Sequence, residues 1–155
     1  ANEASGYGSV IAGGSFNSAN GTNAIVGAGS GNLSSGGNSA VFAGANNRSY
    51  GDFSFVGGGL MNETRGTSSI VAGGYNNYSS GNNSSILGGI FNQVSGNNSS
   101  SIAGSGNLVN GNFSSITAGN NNRVLNYSST IVAGDTNIIS GAQSFIGGGS
   151  LKTTP

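Results

Sequence analysis

Cysteine, histidine and tryptophan are absent from this chain of 155 residues, proline occurs once, at Pro155, and only eight residues are charged, four of each sign. Without imidazole or thiol there is no histidine base, no thiolate nucleophile and no usual transition-metal ligand, so neither catalysis nor a metal or other cofactor is expected. A net charge of zero without any basic run leaves no footprint for nucleic acid or an anionic membrane surface. No apolar stretch approaches the roughly 20 residues of a membrane helix, so no membrane insertion is expected of this segment. The opening "ANEASGYGS" has neither the basic nor the apolar region of a signal peptide. Ala1 in place of Met suggests a processed chain or a fragment of a longer protein. The missing cysteines leave the redox compartment unmarked.

What is present is small and polar. Glycine numbers 31, and stretches such as "SIVAGGYNNYSSGNN" (69–83) resemble linker. Disordered chains, however, are typically rich in charge and proline, and this one has little of either. Its order lies in a period. Asn stands at 2, 17, 32, 47, 62, 77, 92, 107, 122 and 137, and Gly at 14, 29, 44, 59, 74, 89, 104, 119, 134 and 149, each spaced by fifteen without one insertion. A second glycine column runs through Gly6, Gly21, Gly36, Gly51, Gly66, Gly81, Gly96, Gly111 and Gly141, interrupted only by Asn126, a residue type that tolerates left-handed backbone.

Counted from its first serine, the unit of fifteen has Ser at the first place, Val or Ile at the third, Ala or Gly at the fifth, Gly at the sixth, Asn at the ninth and Gly at the thirteenth. Ala24 and Ser101 are the exceptions at the first and third places. Fixed places alternate with variable ones, the period of a strand. The eleventh place, from Ala4 and Ala19 through Ser49 and Ser79 to Val94, Val109, Val124 and Ile139, marks a second strand. Two strands and two glycine turns are too little for a helical repeat or a propeller blade. They suit one coil of a parallel β-solenoid stacked at ~4.8 Å. The expected fold is all-β: a single domain over 1–155, a β-roll of about ten coils within 2–149, roughly 45–50 Å long.

In such a roll the glycines serve tight turns, often at positive φ, where stacked backbones leave no room for a Cβ. Asn17, Asn32, Asn47, Asn62, Asn77, Asn92, Asn107, Asn122 and Asn137 are expected to stack as an amide ladder, each side chain donating to a carbonyl of the next coil. The first, third and fifth places read as inward.

One Val or Ile per coil with a few small residues is a thin core for fifteen ordered residues. The outward second or fourth place adds a bulky apolar group in nearly every unit: Val10, Ile25, Phe42, Phe55, Ile70, Leu87, Ile102, Val132 and Phe145. Only the eighth unit, with Ser115 and Thr117, lacks one. A strand apolar on both faces is covered on both faces, so this column reads as an assembly face. Reversing inside and outside would still leave one apolar column uncovered.

The units "SVIAGGSFNSANG" (9–21) and "SIVAGGYNNYSSG" (69–81) resemble the head repeats of YadA-type trimeric autotransporter adhesins, over nearly the whole of 2–149. Repeats of viral and phage fibre proteins are also similar. The adhesin resemblance implies a left-handed β-roll packed side by side as a homotrimer at the cell surface. The fifteen-residue unit departs from the fourteen usual in that family, and no neck, stalk or anchor is seen in this segment.

The acids Glu3, Asp52, Glu63 and Asp135 fall in different columns or four coils apart, so no catalytic carboxylate pair is expected. The glycine turns lack the aspartate of calcium-binding β-rolls. "GAGSGN" (27–32) is a product of the repeat rather than a phosphate loop. Arg48 and Glu63, both at the tenth place, should pair across adjacent coils as a weak surface ion pair. Among many N-x-S/T sequons, Asn82, Asn97 and Asn112 lie in the exposed turn and are the candidate glycosylation sites if the source is eukaryotic or a virus of eukaryotes.

The function expected is that of a non-enzymatic extracellular or cell-surface rod, structural and adhesive, whose partners are its own copies and extracellular-matrix or host-surface ligands. Tyr50, Tyr78, Arg48, Arg65 and Arg123 form the outward face. The alternative is a subunit of an extracellular filament or of a viral fibre on the virion surface. Ice binding ranks below both, because the outward columns are irregular and bulky rather than a uniform threonine array.

Overall fold

A computed structural model describes residues 1–155. Twenty-one strands of two residues each, from β1 (Glu3–Ala4) to β21 (Thr153–Thr154), form two parallel sheets and no helix. The odd-numbered strands make an eleven-stranded sheet. The even-numbered ones, from β2 (Val10–Ile11) to β20 (Phe145–Ile146), make a ten-stranded sheet. Each strand pairs with its own copy one repeat away, as Ile70 does with Phe55 and Ser85. The protein is therefore a parallel β-solenoid of about ten coils.

A third ladder escaped the sequence pattern. The seventh place of each unit, Ser15, Ser30, Ala45, Leu60, Tyr75, Ile90, Ser105, Asn120, Asp135 and Ser150, is bridged in parallel from coil to coil. Each coil thus has three stacked segments, separated by bends at left-handed backbone. The sixth-place glycines have φ of 85° to 117°. The eighth and fifteenth places are left-handed too, and there the residue is frequently not glycine: Phe16, Met61, Phe91 and Leu151 at the eighth, Phe53, Phe113, Ser68 and Ser128 at the fifteenth. Their N–H groups reach back one coil, Phe91 to the Tyr75 carbonyl at 3.0 Å and Asn83 to that of Thr67 at 2.9 Å. The stacked backbone holds the left-handed conformation whatever the side chain, so no glycine signal marks these bends.

The two glycine columns are needed for different reasons. At Gly74, with φ of 98°, an added Cβ would stand 2.2 Å from the Gly89 carbonyl oxygen and 2.5 Å from Asn77 Nδ2. Only glycine leaves that space, so the glycine and asparagine columns require each other. At Gly81, in the thirteenth-place column, φ is not left-handed, and the Cβ would meet the Gly96 carbonyl oxygen at 2.1 Å. Close stacking alone fixes this column. The expectation that Asn126 sits there for its tolerance of left-handed backbone is therefore corrected. Asn126 has no positive φ, and it is exposed where Gly96 and Gly111 are buried. Its side chain reaches outward to the Ser140 carbonyl at 3.1 Å.

The core lies between the sheets. The first, third, ninth and eleventh places point in, and Val26, Val41, Val56, Val71, Ile86, Ile116 and Ile131 are fully buried at the third. The fifth place was expected inward, but Ala28, Ala43 and Ala103 are exposed. The backbone already bends toward the left-handed glycine there, and its carbonyl, not its side chain, turns in to meet the asparagine amide.

The eleventh place divides the rod. From Val94 onward it supplies Val109, Val124 and Ile139, which join Val71, Ile86, Ile116, Ile131 and Ile146 in one aliphatic cluster. Before that point it is Ala4 and Ala19, then Ser34, Ser49, Thr64 and Ser79, these four all buried. The first-place serines respond to this change. Ser39 donates to the Gly36 carbonyl at 2.7 Å, so the Ser34 hydroxyl, 2.7 Å away, must donate to it. The pairs Ser49–Ser54 and Ser79–Ser84, each at 2.6 Å, repeat that arrangement. Opposite valine the serine turns to its neighbouring coils. Ser99 Oγ donates to the Gly111 carbonyl at 2.8 Å and accepts the Ser114 N–H at 3.1 Å.

Candidate functional site

With no enclosed cavity to consider, the outer faces are what the molecule can use. They differ sharply in chemistry. On the ten-stranded sheet, Val10, Ile25, Phe42, Ile70, Leu87, Ile102, Val132 and Phe145 are exposed and Phe55 is half-buried, in one row along the rod. Bulk at the second place faces a small residue at the fourth, as Phe55 does Gly57, or the reverse, as Ala40 does Phe42. Phe42 and Phe55 meet across adjacent coils with ring centroids 5.5 Å apart. No outward position of this sheet is charged. Nine spacings of ~4.8 Å make the face about 43 Å long.

The eleven-stranded sheet carries the opposite character. Glu3, Arg48, Glu63, Arg65 and Arg123, five of the eight charges, stand on its outer face. Arg48 Nη1 lies 4.0 Å from Glu63 Oε2, the pair expected across coils, but the closer partner of Glu63 is Arg65, whose Nε donates to Oε1 at 2.5 Å. Residues two apart on a strand share a face, which is the signal that would have found it. The Arg65 guanidinium lies 5.6 Å from the ring centroids of both Tyr50 and Tyr78. Its hydrogen bond with Glu63, then the charge of that carboxylate, hold Arg65 above its ordinary pKa. Exposed as it is, the cluster adds little stability but fixes the ring of Tyr78.

A shallow groove runs beside this sheet. Its walls are the eighth-place and tenth-place side chains, and its floor is the ninth-place backbone where each asparagine turns inward. One stretch lies between Asn46, Met61 and Asn76 on one side and Arg48, Glu63 and Tyr78 on the other. A second continues between Phe91, Gly106, Asn121 and Thr136 and Gln93, Leu108, Arg123 and Ile138. Met61 and Phe91 hold φ of 59° and 56°, where a bulky residue costs about 1–2 kcal/mol. Phe91 is 52 % exposed, so burial returns little of that cost. Tyr75 braces it edge-on, centroids 5.2 Å apart.

Behind the groove stands the asparagine ladder. Asn17, Asn32, Asn47, Asn62, Asn77, Asn92, Asn107, Asn122 and Asn137 are buried. Asn77 is representative: Nδ2 donates to the Gly73 carbonyl at 3.0 Å and to the Gly89 carbonyl of the next coil at 2.9 Å, and Oδ1 accepts the Asn92 N–H at 2.9 Å. Lys152 takes the asparagine place beyond Asn137 and contributes only its N–H, to Asn137 Oδ1 at 3.0 Å. The ladder is a structural device with every amide occupied, not a surface for ligands.

The sequon residues Asn82, Asn97 and Asn112 are exposed at the opposite bend. Their Oδ1 atoms accept the N–H groups of Thr67, Asn82 and Asn97 at 2.8–3.0 Å. Ser84, Ser99 and Ser114, which complete these sequons, are buried. The acids stand apart from one another: Asp52 accepts the Gly37 N–H at that same bend and Asp135 the Thr136 hydroxyl on the third ladder, away from Glu3 and Glu63. No protein-family model matches the chain, and no curated protein matches its sequence.

Proposed function

We infer that the protein is a non-enzymatic, extracellular structural and adhesive rod that assembles through the outer face of its ten-stranded sheet, three copies side by side. One observation carries this reading: an apolar row about 43 Å long on a sheet face without a single charge, on a molecule whose charges gather on the other sheet. An apolar row of that extent, interrupted only at Ser115 and Thr117, supports assembly through this face. The resemblance of the units to YadA-type head repeats supports a homotrimer of left-handed coils at a cell surface. Adhesion would draw on many weak contacts repeated along the rod.

Placing charge in the row tests the reading without touching the core. Phe42→Glu and Ile70→Lys each substitute an exposed side chain, so the coils should stay folded by circular dichroism while the oligomer dissociates in sedimentation. Unchanged assembly in both variants would exclude this face. Fibres rather than discrete particles in electron micrographs would favour the filament reading over the trimer.

A further inference from the structure

We propose that the groove between the eighth-place and tenth-place columns binds an extended polysaccharide, one sugar unit facing each coil. The proposal rests on reading the rod as an adhesive and names the ligand class that the reading leaves open. Two neighbouring stretches, three rungs from Asn46 to Asn76 and four from Phe91 to Thr136, together extend over six coil spacings, about 29 Å. An extended β-linked polysaccharide advances by close to one such spacing per sugar, so chain and rod stay in register over several units.

The side chains suit that ligand. The amides of Asn46, Asn76 and Asn121 stand along one wall, free of any hydrogen bond to another protein side chain or backbone group, and offer both donor and acceptor to sugar hydroxyls. Two braced aromatic rings supply flat apolar surface for pyranose faces: Phe91 held edge-on by Tyr75, and Tyr78 held by Arg65, itself fixed by Glu63. Phe91 keeps an exposed ring on left-handed backbone where the neighbouring coils use Asn76 and Gly106. Arg123 has no carboxylate partner and sits between Leu108 and Ile138 on the other wall, so a uronate-bearing chain gains one ion pair that a neutral one lacks.

The test measures binding of the intact chain to insoluble cellulose and chitin by co-sedimentation, and to a soluble polyuronate by calorimetry. Two groove variants, Phe91→Asn and Asn76→Gly, introduce residue types that this same place already carries in other coils, so the fold is retained. The expected result is binding to at least one polymer, weakened on the order of tenfold by each variant, a loss of about 1.4 kcal/mol. Preference for the polyuronate with steep salt dependence assigns the acidic class; salt-insensitive binding to cellulose or chitin assigns the neutral one. Absence of binding to all three overturns the proposal, as does binding that both variants leave intact. A change in oligomeric mass caused by Phe91→Asn also overturns it, because the groove would then be a contact between copies. Ile70→Lys separates the two readings: dissociated protomers that still bind through the groove uphold this site, and an undissociated Ile70→Lys that binds upholds it while counting against the assembly face.

Discussion

The two halves of the rod share one backbone and differ in what fills it. In the coils from Ser34 to Ser84 a serine at the eleventh place meets the first-place serine across the core in three pairs, as in Ser49–Ser54 at 2.6 Å. In the C-terminal coils valine or isoleucine takes that place, and the serine instead bonds along the stack, as Ser114 does in accepting the Ser129 N–H at 3.1 Å. The backbone ladders, the asparagine column and the glycine turns continue unchanged through the change of filling. Main-chain stacking therefore specifies this fold, and the core needs only to be small. The C-terminal half adds the burial of aliphatic groups, each contributing about 1.5–3 kcal/mol, and should be the more stable part.

The largest effect that sharpens this contrast is expected from Ile116→Ala, which opens a cavity in the aliphatic half and should cost about 2–5 kcal/mol. Hydrogen exchange should show the protection of the coils around Ile116 falling toward that of the coils around Ser49. The next concerns the direction of the hydroxyl pairs. Ser84→Ala strands both the Ser79 hydroxyl and the Gly81 carbonyl, at a cost of about 1–3 kcal/mol. Ser79→Ala removes only a donor and should cost less than about 1 kcal/mol. Equal losses in urea unfolding at matched protein concentration would break the assigned direction. The smallest change is a gain. Ser101 occupies a third place otherwise held by Val or Ile, and its buried hydroxyl has no partner. Ser101→Val should stabilise the C-terminal half by about 1.5 kcal/mol, raising the midpoint of its unfolding.

The solenoid was legible in the sequence because its register never slips: one insertion anywhere would have misaligned the asparagine and glycine columns. The motif Gly74-x-x-Asn77 could be read as a turn and a ladder, though not as a single unit in which the missing Cβ makes room for the amide. The left-handed bends at Phe91 and Phe113 were hidden, because backbone bonding to the neighbouring coil imposes the conformation and leaves the residue type free. The seventh-place ladder was hidden for a similar reason, since Tyr75, Ile90 and Ser105 share neither size nor polarity. The apolar row at Phe42 and Ile70 was visible as alternation. The groove was not, because it arises where a buried Asn separates two outward columns that the sequence shows only as variable.

Copies of the chain packed on the charge-free apolar face would multiply the mass of the particle in solution. Sedimentation equilibrium of the protein measures this directly. The expected result is a single species of three times the 15.0 kDa chain mass, which Phe42→Glu and Ile70→Lys reduce to the protomer. A folded, monodisperse species at 15.0 kDa across the accessible concentration range would contradict it.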